Sequence, residues 1–276
     1  MHNPSVPETL EGWSLLHLMY RVRWDKLRTK SDAERRRLAD DGIQALSVPD
    51  AGAGATACVQ MLGHKADLMF VAFRRDFEQL AQAQLALSRT ELCEYLEPTT
   101  SYVSIVELGM YEMTAKLHEQ VGAKFKPGSD EFEQAFDAEM ETQRSRVTNR
   151  LFLEVPKSRY VCFYPMNKRR GEIENWYSVP FERRASMMRE HGMIGRGYAG
   201  KVMQVISGSI GYDDWEWGVD LFAQDPLVFK KLIYEMRFDE ASAKFAEFGP
   251  FYTGLQFAPG ELAAYLNGSV PSLLIG

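Results

Sequence analysis

The sequence has few cysteines, few histidines and no long apolar run, and each scarcity excludes a class of protein. The three cysteines, Cys58, Cys93 and Cys162, lie far apart, which argues against a disulfide framework or a cysteine metal site. The five histidines include no pair at the spacing of a zinc site. No apolar run approaches the roughly 20 residues that span a bilayer, and the N-terminus lacks a signal-peptide pattern. We therefore expect a cytoplasmic protein that has no membrane segment.

Basic residues are fewer than acidic ones, which limits the classes of partner that the protein can bind. Lysine and arginine total 32 against 38 aspartates and glutamates, for a formal net charge of −6. Bulk electrostatics therefore disfavours nucleic acid or an anionic membrane as a partner. An anionic ligand would need a local basic patch, and Lys168, Arg169 and Arg170 supply one.

Hydrophobic periodicity predicts the same order of elements in both halves of the chain. The first half is predicted to contain strand, helix, two strands, helix and strand, at residues 13–22, 32–46, 55–62, 66–73, 77–96 and 102–109. The second half is predicted to repeat this order and to add a short closing helix, at residues 160–166, 182–190, 201–207, 215–222, 226–238, 251–257 and 261–266. This β-α-β-β-α-β order is typical of a ferredoxin-like unit.

The charged stretch between the halves has a helical pattern that is broken at residues 126–128. We expect three parts: an N-terminal subdomain at 1–112, a helical connector at 113–148 and a C-terminal subdomain at 149–276.

The stretch 191–218 joins one imidazole, one neutral amide and several aromatic residues. His191 is predicted to end a helix, residues 192–200 to form a glycine-rich turn, and Gln204 to lie on the next strand. This combination suits a flat apolar ligand that carries a metal, because histidine is the commonest axial ligand of haem iron. Two structural alternatives remain open: His191 could interact with the last carbonyls of the helix, and Gln204 could be an edge residue in water.

Tyr164 precedes the basic patch at the end of a predicted strand. Pro165 is expected to end regular strand pairing there, which would place a phenol beside Lys168 and form an anion pocket. The alternatives are a core tyrosine that is bonded to the backbone, and a solvated basic loop.

Four motifs in the second half are similar to those of the chlorite dismutase-like superfamily. They are YPM-x-KRR from Tyr164, HGMIGR from His191, GSIGYDDWEWG from Gly208 and YEMRFDE from Tyr234. Together they resemble the coproheme decarboxylase branch of firmicute type. The resemblance implies an α+β fold with two ferredoxin-like subdomains that form a dimeric α+β barrel within one chain. It also implies a homopentamer that binds porphyrin in the C-terminal half.

The resemblance assigns roles to individual residues. His191 resembles the axial iron ligand, Tyr164 the redox tyrosine, and Gln204 the distal glutamine. Lys168 resembles the lysine associated with the tyrosine, and both are expected to be catalytic. The remaining cofactor-binding expectations concern propionate contacts, at Arg150, at Ser242 and along the segment Tyr164, Pro165, Met166, Asn167 and Lys168.

The implied function is peroxide-dependent decarboxylation of two propionates of Fe-coproporphyrin III to vinyls, through a three-propionate intermediate, to give haem b. A coproporphyrin ferrochelatase would be a natural transient partner. Chlorite dismutases carry an arginine at the distal position, so the neutral Gln204 argues against chlorite chemistry. The alternatives are another chlorite dismutase or peroxidase-type haem enzyme, a non-catalytic porphyrin carrier, and a haem-free barrel protein.

Overall fold

The computed structural model of the chain describes residues 2–47 and 54–273. The strands are β1 Thr9–Val22, β2 Gly54–Met61, β3 Leu68–Arg74, β4 Leu96–Gly109, β5 Tyr160–Lys168, β6 Val202–Gly208, β7 Trp217–Ala223, β8 Ala246–Phe248 and β9 Tyr252–Phe257. The helices are α1 Trp24–Leu27, α2 Asp32–Leu46, α3 Phe77–Ser88, α4 Tyr111–Gly122, α5 Asp130–Leu151, α6 Phe181–Gly197, α7 Leu227–Met236, α8 Glu240–Ala243 and α9 Leu262–Leu266. The outer ends of the predicted terminal subdomains, residues 1 and 276, lie outside the described residues.

Eight of the strands close into a barrel. The sheet order is β7-β6-β4-β1-β3-β2-β9-β5, and β5 also pairs with β7, so the first and last strands meet. The first joint between the halves pairs β4 with β6, through Ile105 with Gly208 and Val106 with Ser207. The second joint pairs β2 with β9. The ninth strand, β8, extends the pairing at the end of β5.

Each half of the barrel is a ferredoxin-like unit. The strand order is β4-β1-β3-β2 in the first half and β9-β5-β7-β6 in the second, so each half places its strands in the order 4-1-3-2. All of these pairings are antiparallel. The predicted fold class is therefore confirmed: two βαββαβ units form an α+β barrel within one chain.

The barrel separates a shared interior from two outer faces. Alternate residues of strands from both halves fill the interior, including Leu15, Val71, Phe163 and Phe222. The outer face of the second half packs instead against α6 and α7 through Tyr164, Leu221, Leu232 and Met236. A ligand held between this face and its helices would be separated from the barrel interior by one sheet.

Local signals account for some element boundaries. Helix α2 begins where predicted because Ser31 caps it: its hydroxyl accepts the backbone N–H of Glu34, and the Glu34 carboxylate accepts that of Ser31. The connector breaks between α4 and α5, around the predicted Lys-Pro-Gly turn. In the part of the chain that the structure describes, no helix is long and apolar enough to cross a membrane.

Two predictions about the strands and the first half were wrong. The helix predicted at 77–96 ends at Ser88, because Thr90 caps a separate 3₁₀ turn and the chain enters β4 at Leu96. Pro165 does not end the pairing of β5, because it lies opposite Gly218 and the strand continues to Lys168. A proline is tolerated there because its carbonyl still accepts the backbone N–H of Gly249, at 2.8 Å.

Candidate functional site

Tyr164 lies on the outer face of β5 and is only 5% exposed. Its ring lies 4.7 Å from that of Phe251 and 5.7 Å from that of Phe248. Burial raises the pKa of its phenol, the neighbouring Cys162 thiol adds to this, and the Arg237 guanidinium opposes it. The phenol is therefore protonated at neutral pH, and oxidation would have to remove a proton together with an electron.

The segment after Tyr164 is anchored to the start of β7. Met166 pairs with Trp217 and with Phe248 of β8. The Asn167 amide oxygen accepts the backbone N–H of Glu216 at 2.8 Å. This part of the segment that was expected to contact propionates is therefore a fixed strand end.

Lys168 is buried, although a solvated loop was one interpretation of its basic patch. Its ammonium donates to the carbonyl of Ala241 at 3.1 Å and lies 4.3 Å from the ring centroid of Trp176. Burial lowers the pKa of Lys168 to about 8, although Asp239 and Glu216 act in the opposite direction. The ammonium is directed towards α8, so the structure does not place it against the Tyr164 hydroxyl.

His191 lies inside a helix, which corrects the predicted end at residue 190 and the predicted glycine-rich turn. Helix α6 continues to Gly197, through Gly192 and Gly195. Each glycine costs about 1 kcal/mol in a helix interior, but Ile194 and the following Tyr198 pack on the apolar face around Tyr164 and offset this cost. Because six residues of helix follow it, His191 does not cap the last carbonyls.

A buried carboxylate orients the His191 ring. Nδ1 of His191 lies 2.9 Å from an oxygen of Asp239, whose side chain is 3% exposed. Burial opposes ionisation of Asp239, but hydrogen bonds from His191 and Ser242 outweigh it and lower its pKa. The ionised carboxylate can only accept, so Nδ1 carries the proton and Nε2 of a neutral ring is left with a free lone pair.

Ser242 completes this arrangement on α8. Its backbone N–H donates to Asp239 at 2.8 Å, and its hydroxyl lies 3.4 Å from Nδ1 of His191. Asp239 therefore serves both as the N-cap of α8 and as the partner of His191.

Gln204 lies across from α6 on the same outer face as Tyr164. Gln204 pairs with Leu221 on β7, and Leu221 pairs with Cys162 on β5. Cys162 is two residues before Tyr164 on the same face of that strand. A Cβ at Gly195 would stand 3.4 Å from the Gln204 amide nitrogen, so the amide reaches the helix one turn beyond His191. A flat ligand between sheet and helix would have to displace this amide from α6. A cavity of about 480 Å³, whose lining includes Tyr198 and Lys201, opens at this end of the helix.

Two arginines lie on different parts of the fold, and only Arg150 was expected at the site from the sequence. Arg237 ends α7 with its guanidinium 4.8 Å from the Phe248 ring, beside Tyr164. Arg150 is exposed near the end of α5, a helix that packs on β1 and β4 of the first half. Among the described residues, Arg150 has no hydrogen bond or ion pair with the other candidates.

The structure thus gathers Tyr164, His191, Gln204 and Ser242 around one sheet face. The sequence reasoning did not identify Asp239, Glu216 or Trp176. A signal for Asp239 was present, because Asp is one of the residues preferred at a helix N-cap. Nothing in the sequence pattern pointed to the Trp176 contact, because residue 176 lies in a single 3₁₀ turn between β5 and α6 that has no periodicity of its own. Within residues 2–47 and 54–273, no group of three or more His, Cys, Asp or Glu side chains is arranged to hold a metal ion.

Comparison with known proteins places the chain in a family. The family model described as chlorite dismutase matches residues 35–257. The coproheme decarboxylase of Staphylococcus carnosus is 45% identical over 251 residues, which cover 90% of this chain and 92% of that protein. The coproheme decarboxylase of Thermus thermophilus is 44% identical over 274 residues, or 96% of this chain and 98% of that protein. A longer Natronomonas pharaonis protein, 45% identical over 262 residues, matches 94% of this chain, which spans 41% of that relative.

Solved structures agree with this placement. A heme-binding protein from Thermus thermophilus is 42% identical, with a TM-score of 0.79, over 97% of this chain and all of that one. A chlorite dismutase variant from Candidatus Nitrospira defluvii is 17% identical and shares the fold, with a TM-score of 0.69 over 93% of this chain and 95% of that one. The chain belongs to the chlorite dismutase family.

Proposed function

We propose that this protein is a coproheme decarboxylase that converts two propionates of Fe-coproporphyrin III to vinyls with hydrogen peroxide. One observation carries the proposal. The buried phenol of Tyr164 lies on the outer face of the sheet, and α6, which packs on that face, holds the imidazole of His191 in the orientation set by Asp239. Relatives named coproheme decarboxylase, at 42–45% identity over most of the chain, support it.

The residues present fit an iron porphyrin. His191 offers Nε2 as an axial ligand, because Nδ1 is engaged by Asp239. The aromatic and aliphatic face around Tyr164 suits the flat ring, while Arg237 and Ser242 supply polar groups for propionates at its rim. Tyr164 and Gln204 lie two strands apart and two residues along, which separates them by roughly 12 Å. We assign Pro165, Met166, Asn167 and Lys168 to the same rim.

The substrate supplies the redox chemistry, since its iron reacts with peroxide. Tyr164 would then give up an electron and its proton, and the phenoxyl would take a hydrogen atom from the β-carbon of a propionate. Loss of one more electron and of carbon dioxide leaves a vinyl group. Each propionate thus loses two electrons, one peroxide is reduced to two waters, and a three-propionate intermediate precedes haem b.

Gln204 favours this reaction over its alternatives. An amide neither titrates usefully nor carries charge, so it is a poor acid–base group for a general peroxidase. A distal amide also provides no positive charge to hold chlorite. We therefore propose that selectivity for coproheme rests on Gln204 together with the rim residues.

The proposal extends to organisation and partners. We propose that residues 149–276 form the porphyrin-binding subdomain, with 1–112 as the N-terminal subdomain and 113–148 as the connector. We also propose a cytoplasmic homopentamer that receives coproheme from a coproporphyrin ferrochelatase, with Arg150 reaching a propionate in the assembled enzyme. Mass measurement of the intact oligomer tests the assembly.

Product analysis tests the function. Purified protein is mixed with ferric coproporphyrin III, peroxide is titrated, and the porphyrin mass is followed. We expect two successive steps, each of which removes one carbon dioxide and two hydrogens from the porphyrin mass. Oxygen release from chlorite without change in coproporphyrin would favour a chlorite dismutase, and tight binding with neither reaction would favour a carrier.

A further inference from the structure

Trp176 is a buried indole close to the proposed iron ligand, and the proposed reaction does not use it. It is 2% exposed and packs with Met187 and Ala241. Met187 lies one helical turn before His191 on α6, and Ala241 adjoins Ser242. An oxidant generated at the iron would therefore have an oxidisable side chain near it, in addition to Tyr164.

The charges around Trp176 oppose loss of an electron from its ring. The Lys168 ammonium stands 4.3 Å from the ring centroid, held there by the Ala241 carbonyl. The Tyr111 ring lies 6.5 Å from that of Trp176, and the Arg184 guanidinium acts on the Tyr111 hydroxyl. A cation is attracted to the electron-rich face of a neutral indole, but it would repel the positive charge of an oxidised one.

Two carboxylates stand near the Lys168 ammonium. Asp239 is bonded to His191 and Ser242, and Glu216 accepts the Lys168 backbone N–H at 2.7 Å and faces Arg170. Both act on the Lys168 ammonium. Removal of the ammonium would leave these two carboxylates with only their other partners, and the more negative surroundings of the indole would stabilise an oxidised ring.

We propose that Lys168 is an electrostatic guard that keeps Trp176 reduced, so that oxidising equivalents are left for Tyr164. This role rests on the proposed function, because it matters only where an oxidant forms at the iron. It differs from holding a propionate or assisting Tyr164, since it acts through the face of an indole.

The test uses the ligand-free protein, so its result does not depend on coproheme turnover. A ruthenium tris-bipyridyl photosensitiser with persulfate supplies one-electron oxidant. The indole loses two electrons in two steps, each reducing one Ru(III) to Ru(II), and takes up the oxygen of one water while two protons are released. Peptide mass spectrometry then gives the ratio of oxygenated Trp176 to oxygenated Trp217, which serves as the internal reference.

Lys168→Gln removes the charge but keeps a donor for the Ala241 carbonyl, and Lys168→Met removes both. We expect either variant to raise the ratio on the order of tenfold, while Lys168→Arg and the exposed control Lys230→Met stay near the wild-type ratio. An unchanged ratio in a neutral variant with wild-type circular dichroism overturns the proposal. A ratio in Lys168→Arg as high as that in Lys168→Gln also overturns it. Neither result affects the proposed decarboxylase, which is judged by product mass.

Discussion

At the scale of single residues, charged side chains within the four motifs, among them Asp239 and Glu216, contact the candidate site in ways that the motifs alone did not reveal. The sequence pointed to His191 and Tyr164 through motif resemblance, but it did not reveal that Asp239 orients the imidazole. Contacts between α6 and α8 join residues 48 positions apart, and periodicity carries no information about them. Lys168 was identified as functional, yet its direction towards Trp176 depends on tertiary packing alone.

Asp239→Ala tests the orientation of His191. Loss of the carboxylate frees the ring to rotate and lowers the basicity of Nε2, so affinity for ferric coproporphyrin III should fall about 10–100-fold. Titration followed by absorbance measures it, with metal-free coproporphyrin III as the control ligand. Equal losses for the two ligands would mean that Asp239 only shapes the pocket.

The buried ammonium of Lys168 predicts a pH dependence of stability. Its pKa is about 8 in the folded protein against 10.5 for the ordinary side chain. Between these two pH values the unfolded chain therefore binds more protons than the folded protein, so the free energy of unfolding should rise with pH. Below pH 8 the full free-energy cost of burying the charged ammonium is present. Relative to Lys168→Met, the free energy of unfolding of the wild type should increase by roughly 2–3 kcal/mol from pH 8 to 10.5. Urea titrations at each pH measure this. The same change in the free energy of unfolding with pH in both proteins would exclude this assignment.

At the scale of elements, the eight barrel strands and α2 could be predicted, whereas the C-terminal end of α6 could not. Ser31 and Glu34 give α2 a local start signal, and alternation marks the strands. In α6, Gly192 and Gly195 looked like a helix stop, because local propensity does not register the packing of Ile194 on the sheet. The same limit made 77–96 look like one helix.

Replacing either of two glycines, Gly197 and Gly12, by alanine should change the free energy of unfolding in opposite directions. A Cβ at Gly197 meets nothing within 4 Å, so Gly197→Ala should stabilise α6 by about 0.5–1 kcal/mol. A Cβ at Gly12 would stand 2.0 Å from the Leu151 carbonyl oxygen, where α5 rests on β1. Gly12→Ala should therefore cost about 1–3 kcal/mol, by analogy with overpacking. Chemical denaturation of both variants measures this, and a stable Gly12→Ala protein would show that α5 can shift freely.

At the scale of the whole molecule, a buried polar pair joins the two halves inside the barrel. Nε2 of His17 on β1 lies 3.1 Å from both oxygens of Asp220 on β7, and neither side chain is exposed. The His17 ring stacks on Phe163 at 4.1 Å, and Phe163 precedes Tyr164 on β5. The pair therefore supports, from the barrel interior, the strands that carry Tyr164 on their outer face.

Replacing one member of this pair should cost more than replacing both. His17→Leu leaves Asp220 buried without its partner and should cost about 3–5 kcal/mol. In His17→Leu/Asp220→Leu no charge is left unpaired, so the double variant should recover part of that loss. Urea unfolding of the single and double variants gives the coupling energy. Additive losses would show that the two side chains act independently.

In the proposed function, Tyr164 performs the decarboxylation of a porphyrin that His191 holds. The most direct measurement compares wild type and Tyr164→Phe after each is loaded with ferric coproporphyrin III and titrated with peroxide, with porphyrin mass as the readout. We expect the variant to bind the substrate with an affinity and an axial-ligand spectrum close to those of the wild type and to release no carbon dioxide. Full decarboxylation by Tyr164→Phe at the wild-type rate would contradict the account.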